Sequence, residues 1–150
     1  MKILSYVLML VALAGFSGQT NANAIGPMGL WLGEDGKAKM EVAVCGGETL
    51  CARIVWLRQP NDERGQPLID ANNGDARLRT RPIIGLPVAY NMKQTHTNKW
   101  AGRVYDPQRG GQTYTGSMTL LSDGRMKVTG CLIFICESEY WQPISNGQQN

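Results

Sequence analysis

Four cysteines, four tryptophans, three alternating arginines and one histidine are the residues of this chain best equipped for chemistry. The cysteines fall into two close sets, Cys45/Cys51 and Cys131/Cys136, and each set encloses a plausible reversal of the chain. Gly46-Gly47 supplies the first reversal. In the second, a straight strand would hold Cys131 and Cys136 too far apart to bond, so local pairing requires that segment to bend. Four cysteines allow three pairings, and spacing alone does not choose among them. Local pairing is favoured, and each small loop contributes roughly 2–3 kcal/mol by chain entropy. Cross-pairing, such as Cys51 with Cys131, would staple distant strands instead. Zinc is the rival use of these thiols, but neither set has the usual two-residue gap. No metal ligand set is assigned.

The tryptophans, Trp31, Trp56, Trp100 and Trp141, all sit on expected strands. Aromatic rings can line a concave pocket or fill a small core, and the core reading is favoured. If the interior is open, Trp56, Trp100 and Tyr114 are the candidate ligand-binding aromatics. Trp56 is in phase with Ile54 and Ala52, which places it on their face. Trp100 is in phase with Gly102 and Val104; the glycine either leaves room for a ligand or permits a bend. Arg77, Arg79 and Arg81 would share one side in an extended chain and could form an anion-binding row, against the commoner reading of a solvated face.

Other constellations carry less. Asp70-Ala71-Asn72-Asn73-Gly74-Asp75 gathers oxygen ligands but fails the calcium-loop pattern, with Asp75 where glycine belongs and Arg81 at the twelfth position. A turn held by Asx hydrogen bonds is expected there. Asp62, Glu63, Asp70 and Asp75 include carboxylate pairs that read more simply as a solvated loop. Asp106-Pro107 through Gly110-Gly111 lacks the lysine–hydroxyl ending of a phosphate loop and reads as a hairpin turn. His96 lies in the polar run Lys93–Asn98, read as a turn, and no serine stands in a nucleophile-elbow pattern. No catalytic residue or cofactor motif is assigned.

These residues must be positioned by strands. Period-two alternation dominates, as in Met40, Val42 and Val44 between Lys39, Glu41 and Ala43. Turn residues punctuate the runs, most strongly Ser122-Asp123-Gly124-Arg125. Strands are expected near 29–33, 38–45, 50–58, 84–91, 98–105, 112–121, 124–132 and 137–142. The pattern predicts an all-β fold, an antiparallel up-and-down barrel of about eight strands or a sandwich of the same elements. A barrel of that size is filled by side chains or holds one small ligand. The polar stretch Gln59–Pro82 is the long connection, expected to be functional or mobile.

The first 24 residues read as an export signal: Lys2, an apolar run from Ile3 to Phe16, and Ala22-Asn23-Ala24 as the cleavage site. The apolar run is too short for a stable span, so no membrane span is expected in the mature chain. An oxidising compartment then suits the even cysteine count. Removing the leader leaves 14 basic against 12 acidic residues, a net charge of +2 that gives no ground for a nucleic-acid partner. One domain over residues 25–144 is expected, with a polar, disordered tail from Ser145 to Asn150.

Several motifs occur together in order. Gly29-Leu30-Trp31 opens the first strand, and Cys45-Gly46-Gly47-Glu48-Thr49-Leu50-Cys51 leads into Arg53–Leu57. Trp100–Pro107 runs through Gly110-Gly111 to Thr113-Tyr114, and Gly130-Cys131 and Cys136 precede Trp141. This set resembles the exported bacterial family of unknown function DUF2147. The resemblance covers essentially the whole mature chain and implies a lipocalin-like β-barrel in the periplasm of a Gram-negative bacterium, without a known activity. Ala52 stands where the family often has glycine, and Gln142 where it often has a basic residue that braces a tryptophan. The implied function is binding of a small apolar or amphiphilic molecule. The alternatives are an envelope interaction module with a filled barrel, working through the 59–82 loop and the arginines, and, last, a hydrolase using the loop acids.

Overall fold

A computed structural model describes residues 26–145. The expected leader, and all of the expected tail after Ser145, lie outside the described residues. Eight strands run in order: β1 (Gly29–Leu32), β2 (Ala38–Val44), β3 (Leu50–Leu57), β4 (Pro87–His96), β5 (Lys99–Asp106), β6 (Gln112–Leu120), β7 (Met126–Leu132) and β8 (Ile135–Pro143). Each pairs antiparallel with the next, and β1 returns to β8, so the sheet closes into an up-and-down barrel. Closure removes most of the unpaired edge an open sheet would present.

Alternation decides the inward face. Val42 faces Ala52, Ala52 faces Ala89, and Trp100 faces Met118 across neighbouring strands, and all five are buried. Ala52 has no accessible surface, so its methyl group packs fully in the core. Towards the 45–49, 97–98 and 121–125 turns the interior is solid, filled by Leu50, Met92, Trp100, Met118 and Met126 beside Trp31 and Trp141. Trp31 is fixed by its indole N–H, which donates to the carbonyl of Pro27 at 3.0 Å. Gln142, at the position where the resemblance implies a basic brace, is exposed and paired with Leu32.

Glycine lets the wall bend. Gly102, Gly116 and Gly130 are register partners across β5, β6 and β7. A Cβ on Gly102 would stand 2.6–2.7 Å from the carbonyl oxygens of Asn91 and Tyr90, where β4 carries a bulge. The glycine therefore serves close approach of the bulged β4 backbone, and that contact leaves no room for a ligand at this position.

Most strand limits shift by one or two residues from expectation; β4, expected at 84–91 and found at Pro87–His96, moves furthest. β4 runs on through Gln94 and His96, which pair with Trp100 and Lys99. The polar run 93–98 is thus ladder with a two-residue turn at Thr97-Asn98, because an outward-facing strand end can be entirely polar. β8 starts at Ile135, since Leu132 pairs with Ile135 around a two-residue turn. That turn supplies the bend the second cysteine set required.

The 58–86 connection is folded against the barrel. Asn61 bridges to Pro67 and Ile69 to Pro82, and Ala76–Leu78 forms a 3₁₀ turn. Its anchor is Asp70, fully buried, which accepts hydrogen bonds from the Tyr105 hydroxyl at 2.6 Å, Asn73 Nδ2 at 2.8 Å and Arg81 Nε at 2.9 Å.

Candidate functional site

At the end of the barrel away from the solid core lies a cavity of about 710 Å³. Its walls follow from the strand alternation. Met40 from β2, Ile54 and Leu57 from β3, Val104 from β5 and Val128 from β7 supply apolar surface, and Trp141 closes the floor. The rim comes from the 33–37, 106–109 and 132–135 turns. β1 pairs with β8 through Leu32 and Trp31 alone, so the outer half of β8 has no strand beside it there. The Glu34 carboxylate caps that stretch by accepting the Tyr140 N–H at 3.1 Å, and Glu137, Ser138 and Glu139 border the cavity.

A bulge in β3 decides which aromatic ring reaches this space. Lys39 pairs with Trp56 and Met40 with Ile54, leaving Val55 as an extra residue. The face therefore switches: Val55 and Trp56 both turn outward, and Leu57 takes the inward place. Trp56 lies outside the barrel, with the Lys39 ammonium 4.9 Å from its ring centre. Trp100 is buried in the solid half and does not border the cavity. Tyr114 does border it, with its hydroxyl 3.4 Å from the Arg109 carbonyl oxygen. Of the three aromatic candidates, the structure brings only Tyr114 to the lumen.

The arginine row is not formed. The 3₁₀ turn breaks the extended conformation that would have aligned the three side chains. Arg77 pairs with Asp75 at 2.7 Å, Arg79 Nε donates to the Asn73 carbonyl at 2.8 Å, and Arg81 pairs with Asp70 at 2.8 Å. Their charge is spent on folding the loop. The Asx reading of this segment holds, with Asn73 Oδ1 accepting from Asp75 N at 2.8 Å and Asp75 Oδ1 from Arg77 N at 3.0 Å. The arginine beside Asp75 holds its carboxyl below the usual value. The cysteines form the two local disulfides, Cys45–Cys51 and Cys131–Cys136.

Two residues absent from the sequence-based candidates shape the lumen. Glu137 and Glu139 stand opposite Gly130 and Val128 and share the inward face of Trp141. Glu137 pairs with Arg109, which also lies 3.7 Å from Asp106. Glu139 accepts a hydrogen bond from the Trp141 indole N–H. Loss of surrounding water raises the Glu139 pKa; the indole donor opposes the rise, and the nearby Asp106, Asp35 and Glu34 add to it. Glu139 still touches the solvent that enters the lumen, so it is a carboxylate in a wet but protein-walled site. The signal was present as period two: Ile135, Glu137, Glu139 and Trp141 alternate, and acids on the face of a buried tryptophan break the core pattern. The result is an amphipathic cavity, apolar along the walls and charged at one side of the mouth.

A model of the bacterial family described as "Uncharacterized protein conserved in bacteria (DUF2147)" matches residues 29–143. Among solved structures, the fold is similar to that of protein HP1028 from Helicobacter pylori, described as belonging to the lipocalin family. That similarity has a TM-score of 0.65 at 17% identity, covering 80% of this chain and 84% of that one. No curated protein matches the sequence significantly.

Proposed function

This chain belongs to the DUF2147 family, and we propose that it is an exported carrier that binds one small apolar or amphiphilic molecule in its lumen without transforming it. The observation that carries this reading is the cavity of about 710 Å³, large enough for a drug-sized ligand, with apolar walls and a few placed polar groups at its mouth. The apolar body would lie along Met40, Ile54, Leu57 and Val128, with a polar head toward Asp106, Glu137 and Glu139. A barrel that is solid throughout, acting by its surface alone, is disfavoured by that space.

Export to the periplasm, with cleavage after Ala24, belongs to the same proposal. It is supported by the leader-like first 24 residues and by two disulfides, which persist in oxidising compartments.

Native mass spectrometry of protein purified from its own host's periplasm tests the reading. The expected spectrum shows an oxidised chain beginning at Ile25 together with a small-molecule adduct lost on activation. Titration with Nile red, a neutral apolar fluorophore, should saturate at one site per chain. No adduct and a linear, unsaturable titration would remove the carrier assignment; a chain still carrying residues 1–24 would remove the export assignment.

A further inference from the structure

The turn between β7 and β8 departs from the usual chemistry of a surface turn. Leu132, Ile133, Phe134 and Ile135 are 54%, 81%, 96% and 73% exposed, four consecutive large apolar residues in water. No charged residue occurs between Lys127 and Glu137. Ile133 has φ 55°, a conformation that glycine or asparagine adopts readily and a β-branched residue adopts under strain. The tip thus carries apolar side chains at a cost in both hydration and backbone conformation. Directly below it, the Cys131–Cys136 disulfide ties the two arms together at a register pair.

We infer that this tip is a lipid-inserting finger that seats the mouth of the barrel on a membrane surface, so that the carrier meets its ligand there. The inference rests on the carrier reading for its purpose. Two observations select lipid as the occupant. First, the apolar surface is continuous with the proposed site: Leu132 and Ile135 belong to the tip and also line the cavity beside Val128 and Val104. An acyl chain could pass from a lipid layer to the lumen along that surface. Second, the finger is narrow and protruding. These four residues alone fall below the roughly 800 Å² per partner that a stable protein interface buries. An acyl layer needs no matching groove and rewards each large apolar side chain by area. With no charge on the finger, insertion should not require anionic lipid.

Flotation of the full mature protein with phosphatidylcholine vesicles, compared with the Ile133→Asp/Phe134→Asp double variant, tests this. Aspartate tolerates the backbone conformation at 133, and unchanged circular dichroism with both disulfides present by mass establishes that the variant folds. The wild type should float with the vesicles, and the variant should partition at least tenfold less. Equal partitioning of the two proteins, or no partitioning by the wild type, overturns the finger. Wild-type self-association abolished in the variant, without vesicle binding, assigns the tip to a second copy and also overturns it. Nile red titration in vesicle-free buffer keeps the two readings apart, because a folded variant that binds the dye normally yet no longer floats has lost the finger alone. Flotation of the wild type with no dye binding by either protein would leave the finger standing and count against the carrier.

Discussion

Glu139 is the residue whose environment makes the sharpest demand on solution behaviour. Partial removal of water by the surrounding protein raises its pKa, so folding shifts its balance toward the protonated form relative to the unfolded chain. A carboxyl with a raised folded-state pKa contributes stability that is complete below the unfolded value and is lost as pH rises through the folded one. Glu139→Gln keeps the Oε1 acceptor for the Trp141 indole and removes the charge. The variant should melt above the wild type at pH 7, and the gap should narrow as pH falls and the wild-type carboxyl takes up its proton. Thermal melts across pH 4–8 check this. A gap that widens in acid would mean the carboxylate is stabilised in the fold. At this scale the sequence was only half legible. Ala52 and Ile54 were readable as inward, but Trp56 was not readable as outward, because Val55 and Trp56 suit a strand on either face and nothing in their types marks a bulge. Glu137 and Glu139 were hidden for a different reason: acids in a strand are assigned outward by default, and only the phase of Trp141 contradicts that.

Among elements, the strands were legible because inward and outward faces meet such different solvents. Met40 and Val42, both buried, declare β2 without help from the rest of the chain, whereas Val44, in phase with them, is exposed at the strand end. The 58–86 connection was not legible in that way, since its fold depends on partners brought from afar. Asp70 is held by Tyr105, thirty-five residues away, and by Arg81. The residues that looked like a solvated acidic loop and a free arginine row are thus largely one network. Asp70→Ala should leave the Tyr105 hydroxyl and the Arg81 guanidinium without their acceptor. Breaking a fully buried pair costs about 3–5 kcal/mol, and the part-exposed Arg81 side chain places this change nearer about 2–3. Hydrogen exchange resolves where that loss falls. The amides of Asp70 and Ile83, bonded within the connection, should exchange much faster, whereas those of β6 and β7 should keep their protection. Uniform acceleration through the barrel would show instead that the loop and the sheet unfold as one unit.

On the scale of the whole molecule, the barrel divides its interior. Large tryptophan and methionine side chains occupy one half and provide a packed core, which frees the other half to remain open at modest loss of burial. The disulfides close turns at opposite ends, Cys45–Cys51 at the solid end and Cys131–Cys136 at the mouth, so neither spans the lumen. Which side chains face the open half then rests on the β3 bulge, and two adjacent residues test it. Leu57 borders the cavity, so Leu57→Trp should crowd the lumen and weaken Nile red binding at least tenfold. Enlarging a residue at the loosely filled mouth should cost less than the 1–3 kcal/mol typical of an overpacked core, and the folded protein should remain. Trp56 lies on the outer surface under Lys39, so Trp56→Ala should leave dye affinity unchanged and cost about 0.5–1 kcal/mol from the lost cation–π contact. Without the bulge the two outcomes exchange: Trp56→Ala would empty the site of its ring, and Leu57→Trp would merely decorate the surface. Measuring both affinities in parallel therefore reads the register of β3 in solution, and with it the direction in which the open half of the barrel presents its walls.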